Sequence, residues 1–386
     1  MNIIIYCQHV LGIGHLFRTL AIAEALAGHR VTLVLGGPPV AVAVPGHVRV
    51  VRLPGLMMDA EFSRLLPVEP GRAVAEIKKE RQILLADLVR DIRPELLLVE
   101  LYPFGRSGFN FELGPLLHAV RDGRLPSCRV ICSLRDILVE KKNQQKYEQR
   151  VLDRLNPFFD AVLVHGDPEV IKLDATFSRR REITVPVVYT GYICQKPQPG
   201  DRQAIRARLQ LGPEDQLIVV SAGGGSVGHR LLESALRAHA LMPARARRMQ
   251  VFTGPYLDDH LFAALPRLAA PGATVERFTD NFPAWLAAAD LSVSMGGYNT
   301  SMNVVAAGTP ALVLPFGQNR EQRLRAERLA GLADLSVLDE SDLEPAVLAG
   351  KMAGMSGRRE ERRPAIRLEG ARQTADWLSQ CTDAGS

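Results

Sequence analysis

Gly12-Ile13-Gly14-His15-Leu16-Phe17-Arg18 brings two glycines, an imidazole and a guanidinium together where an apolar run, Ile3 to Cys7, gives way to an amphipathic pattern beginning near His15. Glycines at a strand-to-helix turn let the backbone approach a ligand closely, and the following helix points unpaired N–H groups and partial positive charge at the turn. A histidine there can take a proton at neutral pH. The spacing is not G-x-G-x-x-G, because Phe17 stands where the third glycine would be, and no G-x-x-x-x-G-K-[ST] occurs. Dinucleotide and P-loop chemistry are therefore disfavoured, and a phosphate or nucleotide-sugar turn remains.

His15 is the candidate general base and His9, on the same turn, its rival. Glu100 ends the apolar run Leu96 to Glu100, on the sheet edge expected to carry His15, and either orients the imidazole or ends a strand in solvent. Arg18 would meet a phosphate or helix acids, and Arg135-Asp136 would meet an acceptor or form a structural pair. Gly12 and Gly14 would give an acceptor access to the histidine.

The second half repeats the device. A run from Leu217 to Ser221 leads through Ala222-Gly223-Gly224-Gly225-Ser226-Val227-Gly228 into a helical pattern, Leu231 to Leu241. Leu291 to Ser294 leads through Met295-Gly296-Gly297-Tyr298-Asn299-Thr300 into another, Ser301 to Ala307, with Asn299 or Thr300 fit to cap it. Helix N-termini after Gly225 and Gly297 would hold a diphosphate. Gly317-Gln318-Asn319-Arg320-Glu321-Gln322 then offers amides and carboxylates for sugar hydroxyls, or an ordinary helix start capped by Asn319. No D-x-D stands at a strand end, so metal-independent charge stabilisation with no cofactor is expected.

Parallel sheets must position these residues. β-branched runs alternate with helical patterns: Ile3 to Cys7, Val31 to Leu35, Val48 to Leu53, Leu96 to Glu100, Arg129 to Ser133, Ala161 to Val164 and Val187 to Thr190. After a Pro/Gly/Gln stretch the alternation resumes with Leu217 to Ser221, Gln250 to Thr253, Thr274 to Phe278, Leu291 to Ser294, Ala311 to Leu314 and Leu335 to Leu338. The expected fold is α/β, two Rossmann-like doubly wound domains facing across a cleft. Residues 1–193 form the first, 194–202 a linker, 203–356 the second, and 357–386 a tail helix packing on the first.

At 386 residues, two domains suit the length. With 23% charged residues and no apolar run of spanning length, neither a disordered nor a membrane-spanning chain is expected. The first residues lack a signal-peptide pattern, which points to the cytoplasm. The net charge of +5 comes with acids among the arginines and no basic stretch interleaved with aromatics, so nucleic acid is not an expected partner. The five scattered cysteines give no disulfide or zinc framework. Leu53-Pro54-Gly55-Leu56-Met57-Met58 reads as core, with contact to a membrane surface or lipid-linked acceptor as the alternative.

Ser294 to Thr300, the run Ala306-Ala307-Gly308-Thr309-Pro310-Ala311-Leu312-Val313-Leu314-Pro315-Phe316 and Glu321-Gln322 resemble the donor domain of GT-B glycosyltransferases, nearest the family 28 group. The resemblance implies a UDP-sugar donor on the second domain, an acceptor, lipid-linked or small, on the first, and inversion at the anomeric carbon. It implies work in bacterial envelope or polysaccharide synthesis, peripheral to the inner membrane face. Gly223, Gly224, Gly225 and Ser226 would line the nucleotide phosphates, Phe278 and Thr279 flank the uracil, and Gly297, Asn299 and Thr300 meet the diphosphate. Glu321 and Gln322 would hold sugar hydroxyls. Asn303 stands where that family carries an acid for the ribose. The motif G-x-G-H-x-x-R also resembles UDP-sugar hydrolases of GT-B architecture, and a non-catalytic nucleotide-sugar-binding partner is a third reading. Extra first-domain segments, Leu53 to Gly71 and Pro103 to Asp122, favour the transferase.

Overall fold

A computed structural model of the chain describes residues 1–9, 14–40, 42–59, 64–242, 247–318, 320–355 and 366–383. Gly12, Asn319 and much of the Arg-rich tail segment lie outside the described residues. Two compact units result: Met1–Ile193 together with Glu369–Ser386, and Cys194–Leu368.

The first unit runs β1 (Asn2–Cys7), α1 (Gly14–Ala25), β2 (Arg30–Leu35), β3 (Val48–Arg52), β4 (Leu56–Met58), β5 (Leu65–Pro67), α2 (Val74–Ile92), β6 (Leu96–Glu100), α3 (Asn110–Arg121), β7 (Arg129–Arg135), α4 (Gln144–Phe158), β8 (Ala161–His165) and β9 (Val187–Tyr189). Among the described residues its sheet has seven parallel strands in the order β3-β2-β1-β6-β7-β8-β9, while β4 and β5 form a separate antiparallel hairpin. Both faces are covered, which is why β1 is apolar at successive positions: Ile3, Ile5 and Cys7 enter one core cluster, Ile4 and Tyr6 the other. The order reverses between β1 and β6, and such a switch point is where an open α/β sheet leaves a crevice for ligands.

α2 buries Ile77, Arg81, Leu85 and Val89 at helical spacing. Arg81, fully buried, pairs with equally buried Glu112 at 2.6 Å, and it donates to Gln8 and to the carbonyls of Gly36 and Pro54. One guanidinium thus ties α2 and α3 to the loops beyond β1 and β2.

The second unit runs α5 (Asp201–Arg208), β10 (Gln216–Ser221), α6 (His229–Leu241), β11 (Arg247–Phe252), α7 (Asp259–Ala264), β12 (Ala273–Glu276), α8 (Phe282–Ala288), β13 (Leu291–Met295), α9 (Tyr298–Ala307), β14 (Ala311–Leu314), α10 (Arg320–Ala330), β15 (Leu335–Val337) and α11 (Pro345–Met355). Its described strands pair in parallel as β12-β11-β10-β13-β14-β15, with the switch between β10 and β13. Asp290 accepts from Arg202 and Arg206 of α5 and from Leu217 N, which fixes α5 against the sheet.

The expected doubly wound α/β class holds in both units. α5 begins at Asp201, inside the stretch read as a linker, and residues 194–200 lie within the second unit. β11 starts at Arg247, three residues before the expected Gln250, because its polar start still pairs with β10 from Gln216 onward. The β4–β5 hairpin occupies the Leu53 to Gly71 segment, and Leu53 and Leu56 are buried, as the core reading required.

The last helix, α12 (Gly370–Asp383), belongs to the first unit, where Ala375 and Leu378 join the cluster of Ile22 and Ala23. A Cβ on Gly370 would stand 2.3 Å from Gly191 O, so only glycine permits this approach.

Removing one partner of a buried ion pair leaves the other charge without compensation. Arg81→Ala is expected to cost about 3–5 kcal/mol, read as a lower urea midpoint; an unchanged midpoint would show that Arg81 does not hold the fold.

Candidate active site

His15 is the second residue of α1 and Glu100 the last of β6. Because β1 and β6 are paired neighbours at the switch point, the residues that follow them meet there. His15 Nδ1 lies 2.9 Å from Glu100 Oε1, and Arg18, one turn along α1, donates to the same oxygen. Ser133 of β7 donates to Oε2 at 2.5 Å. Glu100 is 1% exposed, so the alternative of a solvated strand end is wrong. Burial pushes its pKa up, but the Arg18 charge and the bonds from His15 and Ser133 outweigh that and hold it well below the usual carboxylate range.

Arg18 Nη2 also lies 2.9 Å from Nδ1 of His15. A nitrogen that donates to Glu100 cannot accept from Arg18, and the ionised carboxylate assigns the hydrogen to Nδ1. Nε2 then carries the lone pair. Burial and the neighbouring charge of Arg106 lower the His15 pKa to about 3 against the pull of Glu100, so the ring is neutral at pH 7. The ring retains 17% exposure.

The rival His9 is 3% exposed and donates through Nε2 to Pro38 O at 2.7 Å, so that nitrogen is engaged in the fold. Arg18, read as meeting a phosphate or helix acids on the acceptor side, is 3% exposed and has its guanidinium turned onto Glu100. Gly14 opens α1, and half-buried Arg135 ends β7. Sequence reasoning missed Arg106, Ser133 and His165; an arginine in the loop just after the Glu100 strand is the signal for the first.

In the second unit, Gly223, Gly224 and Gly225 follow β10, and Gly296 and Gly297 follow β13, on either side of the second switch point. Gly223 packs beside Thr300, with 3.6 Å from its ideal Cβ position to Oγ1. Gly225, at φ +90, leaves 2.5 Å between that position and Thr253 O, and Gly254 lies as close to the Gly223 carbonyl. The turns after β10 and β11 interlock only because no Cβ is present. Gly254, in a Gly-Pro pair after a strand that sequence reasoning passed over, is thus part of these interlocked turns.

α9 begins at Tyr298 with Gly297 as N-cap, open space at its Cβ position and no side-chain cap bond. Asn299 and Thr300 therefore lie in the first turn and do not cap the helix as expected. Gln322 accepts through Oε1 from Phe316 N at 2.9 Å, and that oxygen approaches Gly296. Ser226, Gly228, Met295, Leu314, Phe316 and Glu340 line a cavity at this edge. Phe278 is exposed beyond β12, and Thr279 accepts from Asn281 N.

Two expected donor residues are drawn into the fold. Asn303 is buried and its Oδ1 accepts from Gln195 N at 3.1 Å. Glu321 is buried one turn from Arg325, 3.9 Å away, whose guanidinium lies over the Tyr298 ring. Among the described residues no group of three or more His, Cys, Asp or Glu could hold a metal ion.

Residues 218–375 match the model of the glycosyltransferase family 28 C-terminal domain. The match covers less than half of the chain. Curated relatives agree with it: the UDP-N-acetylglucosamine--N-acetylmuramyl-(pentapeptide) pyrophosphoryl-undecaprenol N-acetylglucosamine transferase of Frankia casuarinae is 35% identical over 171 residues, 41% of this chain and 45% of that protein. The same-named protein of Bordetella parapertussis is 26% identical over 322 residues, 78% of this chain and 74% of that one. The first of these matches thus spans less than half of its relative's length. In fold, the calicheamicin glycosyltransferase CalG4 superposes with a TM-score of 0.59 at 19% identity, covering 99% of this chain and 96% of that one. The expected GT-B class is met, and the family 28 match covers the glycine turns after β10 and β13.

His15 and His165, both lowered to about 3, stay neutral in the folded chain where unfolded histidine charges below about 6.5. The unfolded state therefore binds more protons between about pH 6.5 and 3. Thermal stability is expected to fall as pH drops from 7 to 5, and to fall less steeply in His165→Gln; equal slopes in scanning calorimetry would refute the buried neutral histidine.

Proposed function

We propose that the chain is an inverting glycosyltransferase that moves a sugar from a UDP-sugar to an acceptor hydroxyl, with His15 as general base. The observation that carries this reading is the Glu100-oriented His15 ring at the first switch point, in a chain whose second switch point lies within the family 28 match. Nε2 of His15 takes the acceptor proton, the acceptor oxygen bonds to the anomeric carbon, and the bond from that carbon to the UDP oxygen breaks as UDP leaves. Glu100 stabilises the imidazolium as it forms, which compensates for a base whose resting pKa is low.

The leaving diphosphate is met by backbone N–H groups at the start of α9 and at Gly224, since Gly223 N already donates to Ser221 Oγ and Gly225 N to Ala222 O, without a metal. Gln322 has two Nε2 hydrogens beyond its bond to Phe316 for a sugar oxygen, and exposed Phe278 offers a stacking face for the base. Asn303, whose Oδ1 already accepts from Gln195 N, offers the ribose a neutral amide in place of a carboxylate, which weakens selection for the ribose. The names of the relatives point to UDP-N-acetylglucosamine and a pyrophosphoryl-undecaprenol acceptor. Exposed Ile83 and Leu84 on α2 support contact with the membrane that would carry such a lipid, and no described helix is long and apolar enough to cross it.

Release of nucleotide from UDP-, dTDP- and GDP-sugars, with and without a lipid-linked acceptor, tests the reading. Release of UDP only with acceptor is expected; release without acceptor would favour hydrolysis, and binding without release an inert partner. His15→Ala should lower turnover roughly 10²- to 10⁴-fold while His9→Ala does not. Turnover should persist in EDTA, and its loss there would overturn metal independence.

A further inference from the structure

A hydrogen-bonded chain continues from Glu100 into the first unit, away from the residues assigned above. Ser133 Oγ donates to Glu100 Oε2 at 2.5 Å and lies 2.9 Å from His165 Nε2. His165 Nδ1 lies 2.9 Å from Thr190 Oγ1. Thr374 of α12 donates to Gly370 O and rests 3.5 Å from the same Nδ1. Ser133, His165, Thr190 and Thr374 are all 2% exposed or less, so water cannot replace a missing partner cheaply.

The donors run in one direction. The Ser133 hydrogen is committed to an ionised carboxylate, so Ser133 can only accept from His165, which requires Nε2–H on His165 and an unprotonated Nδ1 able to accept from Thr190. Burial keeps His165 neutral, which this pattern demands.

We infer that Ser133 and His165 are positioning residues, which hold the Glu100 carboxylate in the orientation that fixes His15 as its Nδ1–H tautomer with the lone pair on Nε2. The inference rests on the reading of His15 as base. Loss of Ser133 frees Oε2, the carboxylate can turn, and both His15 tautomers become populated. A His in the wrong tautomer cannot take the acceptor proton.

The test uses the full chain labelled with ¹⁵N-histidine and long-range ¹H–¹⁵N correlation at neutral pH. The unaltered protein should show His15 as Nδ1–H and His165 as Nε2–H. Ser133→Ala and His165→Leu should each convert His15 to a mixture of tautomers and lower turnover of UDP-N-acetylglucosamine about 10- to 100-fold with an unchanged donor KM. His165→Gln, which keeps a donor toward Ser133, should restore both readouts. A single Nδ1–H tautomer in Ser133→Ala and His165→Leu, or equal behaviour of His165→Leu and His165→Gln, would overturn the inference. If His165→Leu does not fold, Thr190→Val, which removes only the hydroxyl facing Nδ1, must disturb the His165 tautomer for the inference to stand. The tautomer is read without acceptor or turnover, so failure of the base reading, seen as full activity in His15→Ala, is distinguishable from failure of this chain.

Discussion

A carboxylate kept ionised at 1% exposure is the constraint around which the first unit is arranged. An unpaired charge so placed would be prohibitively costly, and Glu100 is tolerated because Arg18, His15 and Ser133 converge on it from α1 and β7. Those elements adjoin only in a sheet whose order turns back at β1 and β6. The topology, the burial of Arg18 and the neutrality of His15 are therefore one fact seen at three scales.

The second unit solves a different problem with the same topology. The glycine turns at its switch point rely on backbone. Gly225 and Gly254 let two turns approach within distances that any side chain would forbid, and α9 starts without a side-chain cap. Such a surface suits a ligand that brings its own negative charge, because the donors are already oriented and need no counter-ion removed.

Much of this was legible in the residues. Parallel strands buried on both faces write themselves as apolar runs, so β6 and β14 are found at their observed bounds, and glycine turns mark where the sheet edge is open. The pairing of His15 with Glu100 follows from strand order once both are placed at the same edge. What sequence conceals is where a polar side chain is held. Arg18 and Glu321 look available in a linear reading, yet the first is turned onto Glu100 and the second is buried beside Arg325. Ser133 and His165 lie in strands where a serine or histidine reads as incidental, and the hairpin β4–β5 is too short for its periodicity to register. The Arg18, Ser133 and His165 contacts join residues tens of positions apart, and no local pattern encodes them.

The first unit is discontinuous in the chain: it is left at Ile193 and rejoined at Glu369, with a whole sheet in between. During synthesis the second unit can close its own core before α12 has been made, while α1 and the neighbourhood of His165 still lack the helix that packs there. The first unit thus receives its closing helix only after the whole second unit has been made, although its strands are translated first. The helix that covers this part of the base-bearing sheet is the final described element to emerge.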